Sequence, residues 1–164
     1  MPQENVLVDG YGVAKLTDFG LSILLDNAFG DGLRSSYEFR GTLQYADPLL
    51  LQDEPRTRNT DIWALGWVIF EVSFVYLVLS FLSTHQLYLV LQLVVGRKPY
   101  WNFTSPKKLH HHLLTQEVTI PTEEEYPNLP YAWLLWPILS GCWRRDSKPR
   151  LSASEIARKM QLKD

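Results

Sequence analysis

An amide and a carboxylate near the start of the chain are spaced so that they could form a polar site. Two strand-like runs, residues 5–8 and 13–16, flank the turn signal Asp9-Gly10-Tyr11-Gly12, a pattern that predicts a β-hairpin. Asn5 and Asp18 are symmetric about its predicted centre, at about position 11.5. Closing the hairpin therefore brings the two oxygen-bearing side chains close together, which is a site-building geometry.

Three consecutive histidines, His110-His111-His112, could suggest metal binding. Consecutive residues on a helix point in three directions and cannot form a tetrahedral site by themselves, so we expect a solvated helix face. We interpret Glu123-Glu124-Glu125 as a solvated loop, with docking of a partner through its acidic charge as the alternative.

The single cysteine is the remaining candidate for chemistry. A reactive thiol needs an exposed, electropositive environment, and the nearby Arg144 and Arg145 supply charge but no base. We therefore expect a structural thiol that packs in the core with three tryptophans. These residues are Cys142, Trp133, Trp136 and Trp143.

Length and charge exclude several classes of protein. The 164 residues allow one core, and 16 Lys plus Arg against 18 Asp plus Glu give a net charge of -2. That balance, with no basic stripe, argues against nucleic-acid binding. One cysteine cannot form an internal disulfide, and the N-terminus lacks a secretory signal. Both features favour the cytosol or the nucleus, and we expect a cytoplasmic location.

The predicted elements are mainly helical. Residues 19–48 have little periodicity and predict a long loop. Thr60 is the predicted N-cap of a helix that is apolar nearly all round and hence buried. Further helices are predicted near residues 107–115 and 131–141. Ser152-Ala153-Ser154-Glu155 is a capping box that starts a last helix. Its predicted inner face consists of Ile156, Ala157 and Met160.

Four motifs, in chain order, resemble the C-terminal lobe of a eukaryotic protein kinase. Asn5, followed thirteen positions later by Asp18-Phe19-Gly20, is similar to the end of the catalytic loop and the metal-binding DFG motif. Residues 41–49, GTLQYADPL, resemble the peptide-docking end of an activation segment. Residues 61–66, DIWALG, resemble the start of the buried central helix.

The fourth motif lies near the end of the chain. Residues 142–146, CWRRD, together with Arg150 resemble a helix–loop segment in the style of tyrosine kinases or tyrosine-kinase-like families. The resemblance implies a mainly α fold, a protein-kinase-like C-terminal lobe with a small β-hairpin at its N-terminal edge. It divides the chain into five segments. They are the end of the catalytic loop with the hairpin (residues 1–17), the activation segment (18–49), the central helix (60–71), an insertion (72–92) and a helical remainder (93–164).

The resemblance also implies a chemistry. In the family, residues at the positions of Asn5 and Asp18 bind Mg²⁺ against the phosphates of ATP, because a hard cation needs oxygen ligands. Asp61 would cap the catalytic-loop backbone, with an acid that complements the helix dipole as the alternative. Ser35, Ser36 and Tyr37 lie where kinases carry activating phosphates, but we interpret them as ordinary polar loop residues and keep phosphorylation as the alternative.

The sequence departs from the family pattern in its catalytic groups. The family's catalytic Asp lies five positions before the metal-binding Asn, which would place it before Met1. The Gly-rich loop, the phosphate-pairing Lys and its partner Glu would also lie upstream. We therefore expect an N-terminally truncated domain that has no catalytic residue of its own and binds Mg-ATP weakly or not at all.

A second departure concerns an ion pair. Leu49 stands where the family has a Glu that pairs with the Arg matched by Arg150, and Asp47 replaces a small Ala. An unpaired buried guanidinium would cost several kcal/mol. Arg150 is therefore expected either to turn to solvent or to find a substitute partner in Asp47 or Asp146.

Residues 72–92 have no counterpart in the family pattern, and removing them joins two segments into an unbroken kinase-like run. Our hypothesis is a retained short intron in the gene model, which sequencing of the transcript would test. A membrane span is the competing interpretation, since residues 72–95 carry no formal charge and would form a helix of roughly 36 Å. A helical packing role is the third.

These observations leave three functional hypotheses. The first is a protein kinase domain fragment, by resemblance an ATP-dependent transferase acting on Ser, Thr or Tyr of proteins but inactive by itself. The second is a non-catalytic, pseudokinase-like module that docks a protein partner. The third is a membrane-tethered scaffold through residues 72–95.

Overall fold

The computed structural model describes residues 5–19, 42–52, 54–80, 99–100, 102–115 and 120–161, and of residues 75–80 only the backbone. Its N-terminal part is the predicted hairpin, with strands β1 (Val6–Val8) and β2 (Ala14–Leu16) paired antiparallel. The Asp9 carboxylate accepts hydrogen bonds from two backbone N–H groups of the turn, those of Tyr11 and Val13, at 2.9 and 3.0 Å. This Asx-type bonding specifies the turn locally.

The rest of the described residues form four α-helices, two short 3₁₀ helices and the loops between them, so the expected mainly α fold with a small hairpin is confirmed. The 3₁₀ helices span Leu43–Tyr45 and Pro48–Gln52. The α-helices are α1 (Arg58–Ser80), α2 (Pro106–Thr115), α3 (Ala132–Cys142) and α4 (Ala153–Met160).

Helix α1 begins earlier than predicted. Thr60 was expected to be the N-cap, but the helix begins at Arg58 and Thr60 lies in its first turn. The Thr60 hydroxyl donates to the Thr57 carbonyl at 2.7 Å and accepts from the Thr57 N–H at 3.2 Å. The predicted start was three residues too late, because a threonine at the third position of a helix can bond the chain before it as effectively as a cap.

Helix α1 also continues past residue 71 without a break. The Ser73 hydroxyl donates to the Ile69 carbonyl at 2.8 Å, and the Phe74 ring lies 5.7 Å from the Tyr126 ring and 6.2 Å from the Phe70 ring. The first turn of residues 72–92 therefore packs against the core. Across the described ranges, no helix is long and apolar enough to cross a membrane, and residues 81–98 lie outside those ranges.

Helix α1 packs on α3 in the centre of the core. The ring centroids of Trp67 and Trp143 are 4.8 Å apart, and the Phe70 ring packs edge-on against Trp143 at 6.0 Å. Gly66 permits this close approach, because a Cβ atom there would lie 2.7 Å from the indole nitrogen of Trp143. A small residue is therefore required on this face of α1.

One of the expected core positions is exposed. Trp133 is 73% exposed, because the buried face of α3 is centred on Leu135, Leu139 and Cys142 and a residue at position 133 lies on the opposite side. The predicted burial of Trp133 was therefore wrong, whereas Trp136 and Trp143 are buried as expected.

Helix α4 has the predicted capping box. The Glu155 N–H donates to the Ser152 hydroxyl at 3.3 Å, and the Ser152 N–H donates to the Glu155 carboxylate at 2.7 Å. The predicted inner face is too wide, because Ile156 is buried whereas Ala157 and Met160 are exposed. This eight-residue helix contacts the core through one apolar side chain of its first turn.

Candidate functional site

The hairpin brings Asn5 next to Thr17 rather than directly opposite Asp18. The register pairs Val6 with Leu16, which places the hairpin centre at Tyr11. The Thr17 N–H donates to the Asn5 carbonyl at 2.9 Å, and the Thr17 hydroxyl lies 3.4 Å from the same oxygen. The predicted centre was half a residue too late, because the turn closes through the Asp9 N–H bond to the Val13 carbonyl. Asp18 is thus one residue beyond the partner of Asn5.

Asp18 has an unusual backbone conformation. Its φ of 57° lies in the left-handed region, which a non-glycine residue adopts at some cost. The Asp18 residue is exposed, Phe19 is 65% exposed, and Asn5 is half-buried. Gly20 and the three predicted phosphorylation positions, residues 35–37, lie outside the described residues. Two oxygen-bearing side chains therefore lie at the open end of the hairpin.

Residues 42–52 contact both α1 and α2, and a buried polar contact fixes them to α1. The Tyr45 hydroxyl lies 2.9 and 3.0 Å from the two carboxylate oxygens of Glu71, and both residues are buried. Sequence reasoning missed this pair. A signal was present, because Glu71 is the one formally charged residue between Asp61 and Arg97.

A second buried contact joins the same segment to the end of the chain. The Arg150 guanidinium donates to both carboxylate oxygens of Asp47, and the exposed fraction of both side chains is 0%. Asp47 is therefore the substitute partner that the departure at Leu49 requires. Asp146, the other candidate, instead accepts the backbone N–H of Lys148 at 3.0 Å.

Arg150 also binds three backbone carbonyls. Its side chain donates to the carbonyls of Asn59 at 3.0 Å, Arg144 at 2.8 Å and Arg145 at 3.5 Å. The guanidinium carbon lies 5.1 Å from the centre of the Trp63 ring. One buried cation therefore ties residues 42–52, the start of α1 and the loop before α4 to each other.

The other candidate residues carry no site in this geometry. His110 and His111 are exposed, but His112 is half-buried, with its ring 4.7 Å from Phe103, so the expected solvated face applies to two of the three. Glu123 to Glu125 form an exposed turn. Within the described ranges, no group of three His, Cys, Asp or Glu could hold a metal ion.

The structure also describes Asp61 and Cys142, the remaining two residues whose roles the sequence predicts. Asp61 is exposed in the first turn of α1, where its charge complements the helix dipole. Cys142 is completely buried, and burial raises the pKa of its thiol to about 12, with the nearby Arg150 charge opposing the shift. The thiol is therefore protonated at neutral pH, as a structural cysteine requires.

The fold and these contacts define a mainly helical domain with a two-stranded hairpin at one edge and a segment anchored across its central helix. The family model of the protein kinase domain matches residues 1–160. The chain belongs to the protein kinase family.

Known relatives cover most of the chain but match only parts of longer proteins. Serine/threonine-protein kinase PkaA of Streptomyces coelicolor is 28% identical over 147 residues, 90% of this chain and 21% of the relative. Mitogen-activated protein kinase kinase kinase A of Dictyostelium discoideum is 25% identical, with 93% of this chain and 13% of the relative covered. Ephrin type-A receptor 8 of Rattus norvegicus is 28% identical, with 90% of this chain and 33% of the relative covered. The chain thus spans a third or less of each of these three relatives.

Proposed function

We propose that residues 1–164 form part of a protein kinase domain that transfers the terminal phosphate of ATP to Ser, Thr or Tyr side chains of protein substrates. The family match over residues 1–160 supports this function. The observation that carries the site is the hairpin register, in which Asn5 lies against Thr17, the residue that precedes Asp18 in the chain.

Asn5 and Asp18 are the proposed ligands of Mg²⁺ with its bound nucleotide. Their donor set, an amide oxygen and a carboxylate at the open end of the hairpin, fits a hard cation that keeps several waters in its coordination sphere. When bound, the ion supplies positive charge that neutralises the phosphates of ATP. The role of Asn5 and Asp18 is to hold and orient it.

Residues 41–49, of which the structure describes 42–49, are the proposed docking segment for the substrate peptide. Its two anchors, Tyr45 to Glu71 of α1 and Asp47 to Arg150 of the loop before α4, fix this segment to the core. A segment held by buried contacts at two of its residues is preorganised, so a bound peptide orders less of the protein.

We also propose that these 164 residues by themselves transfer no phosphate. The family's catalytic Asp and the groups of its nucleotide-binding lobe have no match within residues 1–164. Phosphoryl transfer relies on several groups that act as a unit. Because these residues supply one edge of the nucleotide site, we expect them to bind Mg-ATP weakly.

Thermal unfolding of the 164-residue chain in increasing Mg-ATP tests the site. A ligand that binds the folded state raises the melting temperature by mass action. We expect a rise only at millimolar Mg-ATP, its loss in Asp18→Ala, and its retention in Asp146→Ala, which removes another exposed carboxylate. Incubation with labelled ATP and a mixed Ser, Thr and Tyr peptide should give no labelled peptide.

The outcomes separate the hypotheses. Phosphate transfer by this chain would overturn its proposed inactivity, and a rise unaffected by Asp18→Ala would overturn the metal-ligand role. A cooperative unfolding transition whose melting temperature does not change at any Mg-ATP concentration would favour the non-catalytic interaction module instead.

A further inference from the structure

A cavity of about 380 Å³ lies beside α1, between α2 and residues 120–126. It is open to solvent on one side and is remote in sequence from the hairpin that carries Asn5 and Asp18. Aromatic side chains form much of its wall, and one of them, Phe74, belongs to residues 72–92. The extension of α1 beyond residue 71 therefore contributes to an aromatic enclosure that is large enough for a small molecule.

Two side chains of this wall have hydrogen-bond donors without an acceptor. The Trp67 indole N–H and the Tyr100 hydroxyl are closed to solvent, and within the described part of the chain neither has a hydrogen-bond partner. Trp67 is 4% and Tyr100 8% exposed, and the centres of their rings lie 5.3 Å apart. Buried polar groups are nearly always paired, because an unpaired one loses its hydration without compensation. Two unpaired donors beside one cavity therefore indicate a ligand that supplies an acceptor.

Tyr100 also has an unusual backbone conformation. Its φ of 56° lies in the left-handed region, which is costly for an aromatic residue. Among the described residues with a buried, unpaired donor, Tyr100 is the one that also has a positive φ. The residue thus lowers the stability of the fold in two ways at once. Such a combination is typical of a residue that serves binding rather than packing.

The ionisable side chains of the cavity wall already have protein partners. Glu71 receives the Tyr45 hydroxyl, and Glu125 accepts the Thr122 N–H at 3.0 Å. The His112 ring lies 4.7 Å from the Phe103 ring, and both Glu71 and His112 have further contacts within the protein. The aromatic rings and the two unpaired donors are therefore the groups that remain to recognise a ligand.

We propose that this cavity binds a small, neutral aromatic carbonyl compound. The ring of the ligand packs among aromatic side chains, and its carbonyl oxygen has two lone pairs that can accept from Trp67 and Tyr100 together. Because both donors are closed to solvent, binding includes a small rotation of these rings that turns the donors toward the ligand. An ammonium group carries only donors and would leave both unpaired. This site is independent of the proposed phosphoryl transfer, because it uses neither Asn5 nor Asp18.

Saturation-transfer NMR of the 164-residue chain with acetophenone, cumene and α-methylbenzylamine tests the proposal. The three probes share one heavy-atom skeleton and differ at a single position, which is a carbonyl oxygen, a methyl group or an ammonium group. We expect saturable binding of acetophenone. Cumene should bind about five- to tenfold more weakly, the effect of about one net hydrogen bond. α-Methylbenzylamine should also bind more weakly than acetophenone, because it offers no acceptor.

Tyr100→Phe should act in opposite directions on stability and on binding. It removes an unpaired buried hydroxyl, so the melting temperature of the ligand-free chain should rise. It also removes one donor, so the preference for acetophenone over cumene should shrink. Tyr126→Phe makes the same change at another ring of the wall, whose hydroxyl is not one of the buried, unpaired donors, and should leave both values nearly unchanged.

The proposal is overturned if acetophenone does not bind, or if cumene or α-methylbenzylamine binds as tightly as acetophenone. A lower melting temperature of Tyr100→Phe would also overturn it, because the hydroxyl would then have a structural role. The hairpin variant Asp18→Ala should bind acetophenone normally, which distinguishes failure of this site from failure of the nucleotide site.

Discussion

Arg150 and Asp47 are separated by 103 positions in the chain and form a bidentate ion pair with no solvent exposure of either side chain. The Asp47 carboxylate is further held by the Leu49 N–H at 3.1 Å. The family resemblance predicts an acidic partner at position 49. Here the acid comes two residues earlier and reaches the same guanidinium, so the anchoring of residues 42–52 is kept with a different residue.

Asp47→Ala should strongly destabilise the fold. It leaves the Arg150 guanidinium buried with carbonyl partners but without a compensating charge, a change that costs about 3–5 kcal/mol. Urea unfolding of the purified chain measures the loss. Asp146→Ala is the matched control, because its exposed carboxylate accepts a single backbone N–H of the loop and should cost much less.

A rescue variant makes this prediction specific. Adding Leu49→Glu to Asp47→Ala supplies an acid at the position that the family pattern uses, and it should restore part of the lost free energy of unfolding. Leu49→Glu in the presence of Asp47 should not stabilise the chain. Equal stability of Asp47→Ala and the double variant would contradict the idea that Asp47 takes the role of an acid at position 49 as the partner of Arg150.

The accuracy of the sequence predictions depended on the range of the interactions. The hairpin turn and the α4 cap were predictable because the side chains of Asp9 and Ser152 bond backbone groups at most four residues away. The choice between Asp47 and Asp146 as the partner of Arg150 was not, because proximity in sequence favoured Asp146 and the packing of distant segments favoured Asp47.

Helix phase explains the wrong prediction for Trp133, and separation in the chain explains the missed contact of Tyr45 with Glu71. Trp133 is apolar, yet its position on α3 points it away from the core, and apolarity alone does not set the phase of a helix that is hydrophobic on most sides. Tyr45 and Glu71 were missed as a pair because a contact over 26 positions leaves no local pattern. The charge within an apolar helix was the available indication that Glu71 has a buried partner.

Tyr45→Phe removes the hydroxyl that donates to Glu71 and leaves one fewer partner for a buried carboxylate. We expect a loss of about 1–3 kcal/mol in the free energy of unfolding. Tyr11→Phe makes the same chemical change at a side chain that is 94% exposed and should be nearly neutral. Denaturant unfolding of both variants checks the prediction, and similar losses in the two would contradict a special role for the Tyr45 hydroxyl.

The α4 capping box predicts a pH dependence of stability. Bonds from the Ser152 hydroxyl and N–H lower the pKa of Glu155 from 4.5. Because the folded pKa lies below the unfolded one, the stabilisation is complete above pH 4.5 and is lost as pH falls through the folded pKa. The advantage of the wild type over Glu155→Gln should therefore shrink in acid.

Melting temperatures measured from neutral pH to pH 3 follow this difference. Glu124→Gln serves as the control, since this exposed carboxylate has no capping role, and its curve should run parallel to that of the wild type. A wild-type advantage that stays constant from neutral pH to pH 3 would argue against the lowered pKa.

Cys142 should resist alkylation in the native chain. Its side chain is completely buried, and burial raises the pKa of the thiol to about 12, so little thiolate forms below strongly alkaline pH. Iodoacetamide at pH 8 should label the chain in urea and leave the folded chain unmodified, as mass spectrometry would detect. Rapid labelling without denaturant would show that the α1–α3 core opens readily.

Gly66→Ala sets two opposing effects against each other. Alanine favours a helix over glycine by about 1 kcal/mol. The new Cβ, however, would lie 2.7 Å from the Trp143 indole nitrogen and 2.8 Å from the Cys142 Cβ. The Trp143 ring packs against Trp67 with the ring centroids 4.8 Å apart and cannot move aside freely, so overpacking of about 1–3 kcal/mol should prevail. Calorimetric unfolding should show a lower melting temperature for Gly66→Ala but not for Gly10→Ala, where a Cβ would meet nothing within 4 Å. A more stable Gly66→Ala would mean that α1 and α3 separate at little cost.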